Sequence, residues 1–304
     1  MKFCDLHTHS TASDGSDAPE KLPALARRAG LSAFALTDHD TTAGLAAAAA
    51  AAKRMRMKFV PGIELSADPQ IRGQGSGVRS QEESHSRGTL HILGLFIDAD
   101  HPRLAELGTR LVEARAQRNP QIVANLEALG VKITMDDVAA AAGGHIVGRP
   151  HIAQVLVRKG YVKSIHEAFA KYIGEGKPAY ARKDRLTAAE AIDAIHAAGG
   201  LAVLAHPIQL KLDDDELAHA VSTLAKLGLD GIEVRHSDHS PAHVEHYTRL
   251  AQRNDLLVSG GSDYHGPRKD IALGSQQVPL DWYDALHAAW RDRIHAGSKP
   301  RLRA

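Results

Sequence analysis

Histidines and carboxylates recur in this chain at spacings that suit metal ions. His7 and His9 stand two apart behind a short apolar run, residues 2–6, so an extended backbone turns both imidazoles to one face. Asp263 and His265 repeat that spacing behind residues 255–259, inside Gly260-Gly261-Ser262-Asp263-Tyr264-His265-Gly266. Thr37-Asp38-His39-Asp40 closes another apolar run, Glu64 follows Pro61-Gly62-Ile63, and His206 follows Leu204-Ala205. Imidazole is the commonest metal ligand, and carboxylates complete mixed nitrogen–oxygen sites. A single such residue behind a strand reads as a cap or a satisfied polar group. Two i, i+2 pairs together with three further strand-terminal residues read as a multinuclear metal site. Arg235 and His236 follow a further run, where a guanidinium can fork onto a phosphate and an imidazole can give a proton to a leaving oxygen. They are the candidate catalytic and substrate-binding pair.

Strands are needed to align these residues. Apolar or β-branched runs at 2–6, 32–36, 58–63, 89–96, 200–205, 229–234 and 255–259 predict seven strands. Helical patterns fill 19–29, 43–54, 188–197, 214–227, 241–253 and 282–295, with Pro19 and Pro241 at first helical positions and Gly30, Gly199 and Gly228 where C-terminal caps belong. Strand–helix alternation with short connections predicts parallel pairing, in a barrel or an open doubly wound sheet. In parallel barrels, functional groups collect at the carboxyl ends of the strands, where five of these runs place His, Asp or Glu.

The alternation stops between about residues 98 and 186. Helical patterns at 102–128, 134–142, 150–159 and 164–172 predict an all-helical insertion. The chain thus divides into a first barrel part (1–98), the insertion (99–186), expected to roof the site, and a second barrel part (187–304). Two glycine-flanked cations in the insertion, Arg149 in Gly148-Arg149-Pro150 and Lys177 in Gly176-Lys177-Pro178, are candidate phosphate contacts. Residues 68–87 predict a loop. Its Gly73-Gln74-Gly75-Ser76-Gly77 lacks the Gly-Lys-Ser/Thr of a phosphate cradle and reads as a linker. His239, His243 and His246 have helical spacing without a matching carboxylate and read as a solvated helix face, and Cys4 as a small buried side chain.

Composition narrows the class. With 43% hydrophobic and 24% charged residues, the 304-residue chain is of ordinary globular type, and no apolar run is long enough for a bilayer. Its 37 Lys plus Arg against 36 Asp plus Glu leave no broad grip on nucleic acid, while 19 histidines tilt toward an enzyme. One cysteine and no leader-like apolar stretch predict a cytoplasmic protein without membrane association.

Asp5-Leu6-His7-Thr8-His9-Ser10, Thr37-Asp38-His39-Asp40, Gly62-Ile63-Glu64, His206-Pro207 and Ser262-Asp263-Tyr264-His265 together resemble the PHP (polymerase and histidinol phosphatase) family, in its order and across nearly the whole chain. The resemblance implies an α/β fold, a distorted (β/α)7 barrel with a helical insertion domain. It is nearest to the subgroup of nucleoside 3′,5′-bisphosphate phosphatases and the 5′→3′ exoribonuclease RNase AM. It implies two or three divalent ions (Mn2+, Zn2+ or Fe2+). His7, His9, Glu64 and Asp263 would hold the first; Glu64 would bridge to a second with His91 and His206; Asp14, His39 and His265 would hold the third. His91 falls near the start of its run, the wrong end for a simple parallel barrel, so either that strand runs irregularly or its boundary lies elsewhere. Asp5 and Asp38 would orient ligand imidazoles.

The implied activity is phosphoester hydrolysis by in-line attack of a metal-bridging hydroxide. Three dications, three carboxylates and a hydroxide leave a positive charge that a phosphomonoester dianion would neutralise. The expected substrates are nucleoside 3′,5′-bisphosphates, losing the 3′-phosphate, or the 5′ end of short RNA. No obligate protein partner is expected. The alternatives are a histidinol phosphate phosphatase, or a non-catalytic metal-stabilised domain that binds nucleic acid or a partner.

Overall fold

The computed structural model describes residues 1–71, 88–142, 147–182 and 185–297. The Gly73–Gly77 stretch and most of the expected 68–87 loop lie outside them. Eight strands form one sheet in the order β7-β6-β5-β4-β3-β2-β1-β8. They are β1 (Phe3–Asp5), β2 (Leu31–Leu36), β3 (Lys58–Ala67), β4 (Leu90–Leu95), β5 (Leu201–Leu204), β6 (Gly231–Arg235), β7 (Leu257–Gly260) and the two-residue β8 (Val278–Pro279). The sheet curls until its ends meet. Leu6 donates to Gly260 O at 3.0 Å and Asp263 to His7 O at 3.0 Å, so the chain beyond β1 runs beside the chain beyond β7. The fold is an α/β distorted barrel.

Alternate residues of the strands enter two cores, as the two-residue pleat requires. Cys4 and Leu6, Ala33 and Ala35, Leu93 and Leu95, and Leu201 and Val203 pack together with Val278, Tyr283 and Leu286, filling the barrel interior. Phe34 and Leu36, Ile63 and Leu65, Ala202 and Leu204, and Ile232 and Val234 pack against helices α1 (Leu22–Arg28), α2 (Leu45–Arg54), α7 (Ala188–Ala197), α8 (Asp214–Lys226) and α9 (Pro241–Arg253). Local chemistry sets the helix starts. Thr187 with Glu190 and Asp213 with Glu216 form reciprocal capping boxes, and Ser240 caps α9 ahead of Pro241. Gly228, at φ +100°, ends α8 in a conformation that a side chain would strain. The last helix, α10 (Leu280–Gly297), sends Tyr283 and Leu286 into the interior core.

Two expectations need correction. Pairing is not wholly parallel: β4 is antiparallel to both β3 and β5, and β8 is antiparallel to β1. The long connection after β3 lets β4 re-enter from either end, and an apolar run reads the same in both directions. The helix expected at 19–29 divides into a 3-10 turn (Pro19–Lys21) and α1.

Between β4 and α7 lie α3 (Pro102–Ala128), α4 (Met135–Ala142), α5 (Arg149–Arg158), α6 (Ile165–Ala168) and a π-helical turn, Phe169–Ile173. Residues from Ile122 to Ala181 share a core of their own. The 27-residue α3 serves both bodies: Leu104, Leu107 and Leu111 pack on the barrel, Ile122, Val123 and Leu126 in the insertion. Among the described residues no helix is long and apolar enough to cross a membrane.

Candidate active site

The antiparallel course of β4 resolves the position of His91. Its start, not its end, lies beside the carboxyl half of β3, where Ser66 pairs with His91 and Glu64 with Leu93. His91 therefore reaches the same rim as the residues behind the parallel strands. Beyond β1 and β7 the backbones run so close that a Cβ at Gly261 would stand 2.4 Å from His7 Cβ, which only glycine tolerates. Asp263 (φ +55°) and His206 (φ +26°) hold left-handed backbone that such residues rarely adopt, and both point into the site.

All nine metal-type residues converge. His7 Nε2 and His9 Nε2 lie 3.1 Å apart, each 3.2–3.5 Å from Glu64 Oε2 and Asp263 Oδ1. The other Glu64 oxygen meets His91 Nδ1 at 2.7 Å and His206 Nε2 at 2.9 Å. Asp14 lies 3.2 Å from His265 Nε2 and 3.9 Å from His39 Nε2. Glu64 Oε2 and the second nitrogens of His9 and His206 are buried with no hydrogen-bond partner among the described residues. Nitrogen and carboxylate atoms facing one another in a dry pocket without protons to share are what divalent cations satisfy, and the donor set fits them.

Electrostatics tie the carboxylates to the imidazoles. Burial would raise Glu64, but His39, His91 and His7 outweigh it and hold it well below the ordinary range. Asp263 is held down against the same burial by His265 and Lys269, whose Nζ lies 2.6 Å away. Both are acceptors poised for cations.

The surrounding carboxylates differ from expectation. Asp5 accepts from the backbone of Ser262 (2.9 Å) and Gly274 (2.8 Å), and Asp38 from Ser10 and Ser13, so they fix loops rather than imidazoles. Glu233 performs the role assigned to them. It lies 3.0 Å from His7 Nδ1 and accepts the His206 N–H at 2.7 Å. Its signal in the sequence was a charge between Ile232 and Val234, hence on the barrel-facing side of β6.

A cavity of about 600 Å3 opens from the cluster toward the insertion. Asp14, His39, Glu64, His91 and His206 line its floor; Arg115 and Arg118 of α3 and Arg149 of α5 stand opposite. Arg115 pairs with Asp40, and its Nη1 is buried without a hydrogen bond among the described residues. Burial, then the neighbouring Arg149 and Arg115, depress Arg118 to about 9. Guanidiniums so crowded call for an anion. Sequence reading found Arg149 but missed Arg115, Arg118 and Lys269, because cations on a long helix normally read as a solvated face.

The remaining candidates lie elsewhere. Lys177 is exposed and outside the cavity lining. Arg235 turns away to the carbonyls of Gln276 and Gln277, over the Trp282 ring. His236 is buried beneath the cluster, its Nε2 3.5 Å from Asp263 Oδ2, and does not line the cavity. His239 precedes α9 and bonds Val234 O at 2.8 Å. Burial pushes the Cys4 thiol up to about 12, which makes it inert.

A distorted barrel with this histidine–carboxylate cluster and a cationic roof defines a metal-dependent hydrolase of phosphate esters. The PHP domain family matches residues 5–234, and the chain belongs to it. It is 36% identical over 272 residues (89% of this chain, 87% of the other) to an Escherichia coli protein named 5′-3′ exoribonuclease Rnm. It is 35% identical over 268 residues (88% of each) to the Chromobacterium violaceum 3′,5′-nucleoside bisphosphate phosphatase. A solved Chromobacterium violaceum structure, described as an amidohydrolase with bound sulfate and no metal, superposes with a TM-score of 0.80 at 34% identity, covering 94% of this chain and 96% of that one.

Proposed function

We propose that the protein breaks the P–O3′ bond of nucleotides that carry a second, 5′ phosphate. The observation that carries this reading is one cavity with a metal-type cluster on its floor and three arginines across from it. A substrate with two anionic groups spans that arrangement, and one with a single phosphate does not. His7, His9, Glu64 and Asp263 would hold one ion, Glu64, His91 and His206 a second, and Asp14, His39 and His265 a third. Such ions supply an activated water and offset charge on the phosphoryl oxygens. The chain's own share is positional. Arg115, Arg118 and Arg149 grip the remote phosphate, so that its binding energy fixes the scissile group over the floor. Glu233 keeps His7 and His206 in register.

Removing the 3′-phosphate of a nucleoside 3′,5′-bisphosphate and releasing the first nucleotide of a 5′-phosphorylated RNA break the same bond. In both, water adds to phosphorus, the 3′ oxygen leaves, and a nucleoside 5′-monophosphate is freed. The names of the two relatives divide along that line, and both reactions fit one site. Phosphate release from adenosine 3′,5′-bisphosphate is expected to exceed that from 3′-AMP, 5′-AMP and histidinol phosphate by at least tenfold in kcat/KM. Equal turnover of histidinol phosphate would overturn the nucleotide reading.

A further inference from the structure

A second cavity, of about 510 Å3, lies at the other end of the barrel. It is bounded by the start of β3 (Phe59, Pro61), the turn leaving β4 (Phe96, Ile97), the end of α7 and one face of α10. β4 runs antiparallel, so these places mark the pole opposite His91 and Glu64. No residue of the metal-type cluster lines it.

Its walls are flat and aromatic. Phe96 and Trp290 stack with centroids 5.3 Å apart and planes 21° apart; Tyr283 and His287 stack at 5.7 Å and 8°. Phe96 holds φ +61°, a costly conformation for a bulky residue. The flanking chain enforces it: Ile97 donates to Pro61 O (3.1 Å) and Asp98 to Ala198 O (2.8 Å). The Trp290 indole N–H is buried with no hydrogen-bond partner among the described residues. Buried indole N–H groups normally find one.

Charge separates this cavity from the catalytic one. Among the described residues no lysine or arginine lines it, and its polar rim is Asp98, His101 and His287. Lys58, 4.8 Å above the Tyr283 ring, is paired with Asp284. A phosphorylated ligand would find no counter-charge. A hydrocarbon would leave the indole N–H unsatisfied. A flat, neutral ring with a lone-pair nitrogen or carbonyl oxygen meets both conditions, and the volume suits a ligand of nucleoside size. We propose that this polar-rimmed aromatic cavity is a binding site for an uncharged nitrogen heterocycle, of nucleobase or nucleoside type, held by ring stacking and by the Trp290 N–H.

Calorimetric titration with adenosine tests it, alongside turnover of p-nitrophenyl phosphate. Trp290→Phe keeps a ring and removes the donor. Ala197→Trp fills the cavity from the exposed C-terminal turn of α7. Each is expected to weaken adenosine binding at least tenfold while p-nitrophenyl phosphate turnover and thermal midpoint stay near wild type. Arg149→Ala, in the catalytic cavity, is expected to leave that binding unchanged. Three results would overturn the proposal: no adenosine binding to the full chain at millimolar concentration, binding untouched in the Ala197→Trp variant, or binding lost in the Arg149→Ala variant, which would put adenosine in the catalytic cavity.

Discussion

Glu64 serves a different group of imidazoles with each carboxylate oxygen: His91 and His206 at Oε1, His7, His9 and His39 at Oε2. Glu64→Gln replaces one of these oxygens with an amide that cannot ligate through its nitrogen. It is expected to lower kcat by at least ~100-fold with little change in fold, because charge compensation at the ions is lost. Glu233→Gln should behave differently, since Glu233 touches His7 and the His206 backbone rather than the cavity. Loss of such a supporting partner typically weakens metal binding by about 10- to 100-fold. Metal titration followed by activity at saturating metal separates the two variants: saturation should restore much of the Glu233→Gln activity and little of the Glu64→Gln activity. At this scale most of the site was legible. The i, i+2 pairs and the residues behind strands announce themselves by spacing, whereas Glu233 is a lone carboxylate that only a known inward face would single out.

The direction of β4 decides what His91 can do. An apolar run of six residues has no arrow, and the connection from β3 is long enough to cross to either end, so local sequence carries no signal for an antiparallel strand. The insertion was legible as helices, because 3.6-residue periodicity, Pro102, Pro150 and the Ser164 cap are local. Which of its cations face the cavity was not, since that depends on how α3 and α5 lie over the barrel. The structure separates Arg149, buried on the cavity wall between the Phe169 and Tyr180 rings, from Lys177 on the surface. Arg149→Ala is expected to cost about 1.5–3 kcal/mol, the range for a hydrogen bond to a charged group. That is roughly ten- to a hundredfold in kcat/KM on a bisphosphate, with a smaller loss on p-nitrophenyl phosphate. Lys177→Ala should leave both substrates within about twofold. Parallel kinetics on the two variants would show it, and an equal effect of both would remove Arg149 from the phosphate contacts.

Across the whole molecule, the metal-type cluster lies where sequence-distant segments meet. Residues 7–14, 39, 64 and 91 come from the chain before the insertion, and 206, 263 and 265 from the chain after it. Ions held there would cross-link both parts of the barrel, and since the unfolded chain cannot present these ligands together, ion binding is linked to folding. Each ion at about 100 to 1,000 times its dissociation constant contributes about 2.7–4.1 kcal/mol. For a domain of 150–250 residues, 1 kcal/mol moves the thermal midpoint by roughly 2–4 °C, and somewhat less for a longer chain. Chelation followed by desalting is therefore expected to lower the midpoint by about 5 °C or more, and readdition of Mn2+ to restore it together with activity. The shift should shrink in the Glu64→Gln variant, whose ions are held less well, and persist in the Arg149→Ala variant, which touches none of the nine ligands. A midpoint that ignores the chelator, in protein shown by elemental analysis to have lost its metal, would mean that the barrel closes without help from the ions, through the β1–β7 hydrogen bonds and the interior core alone.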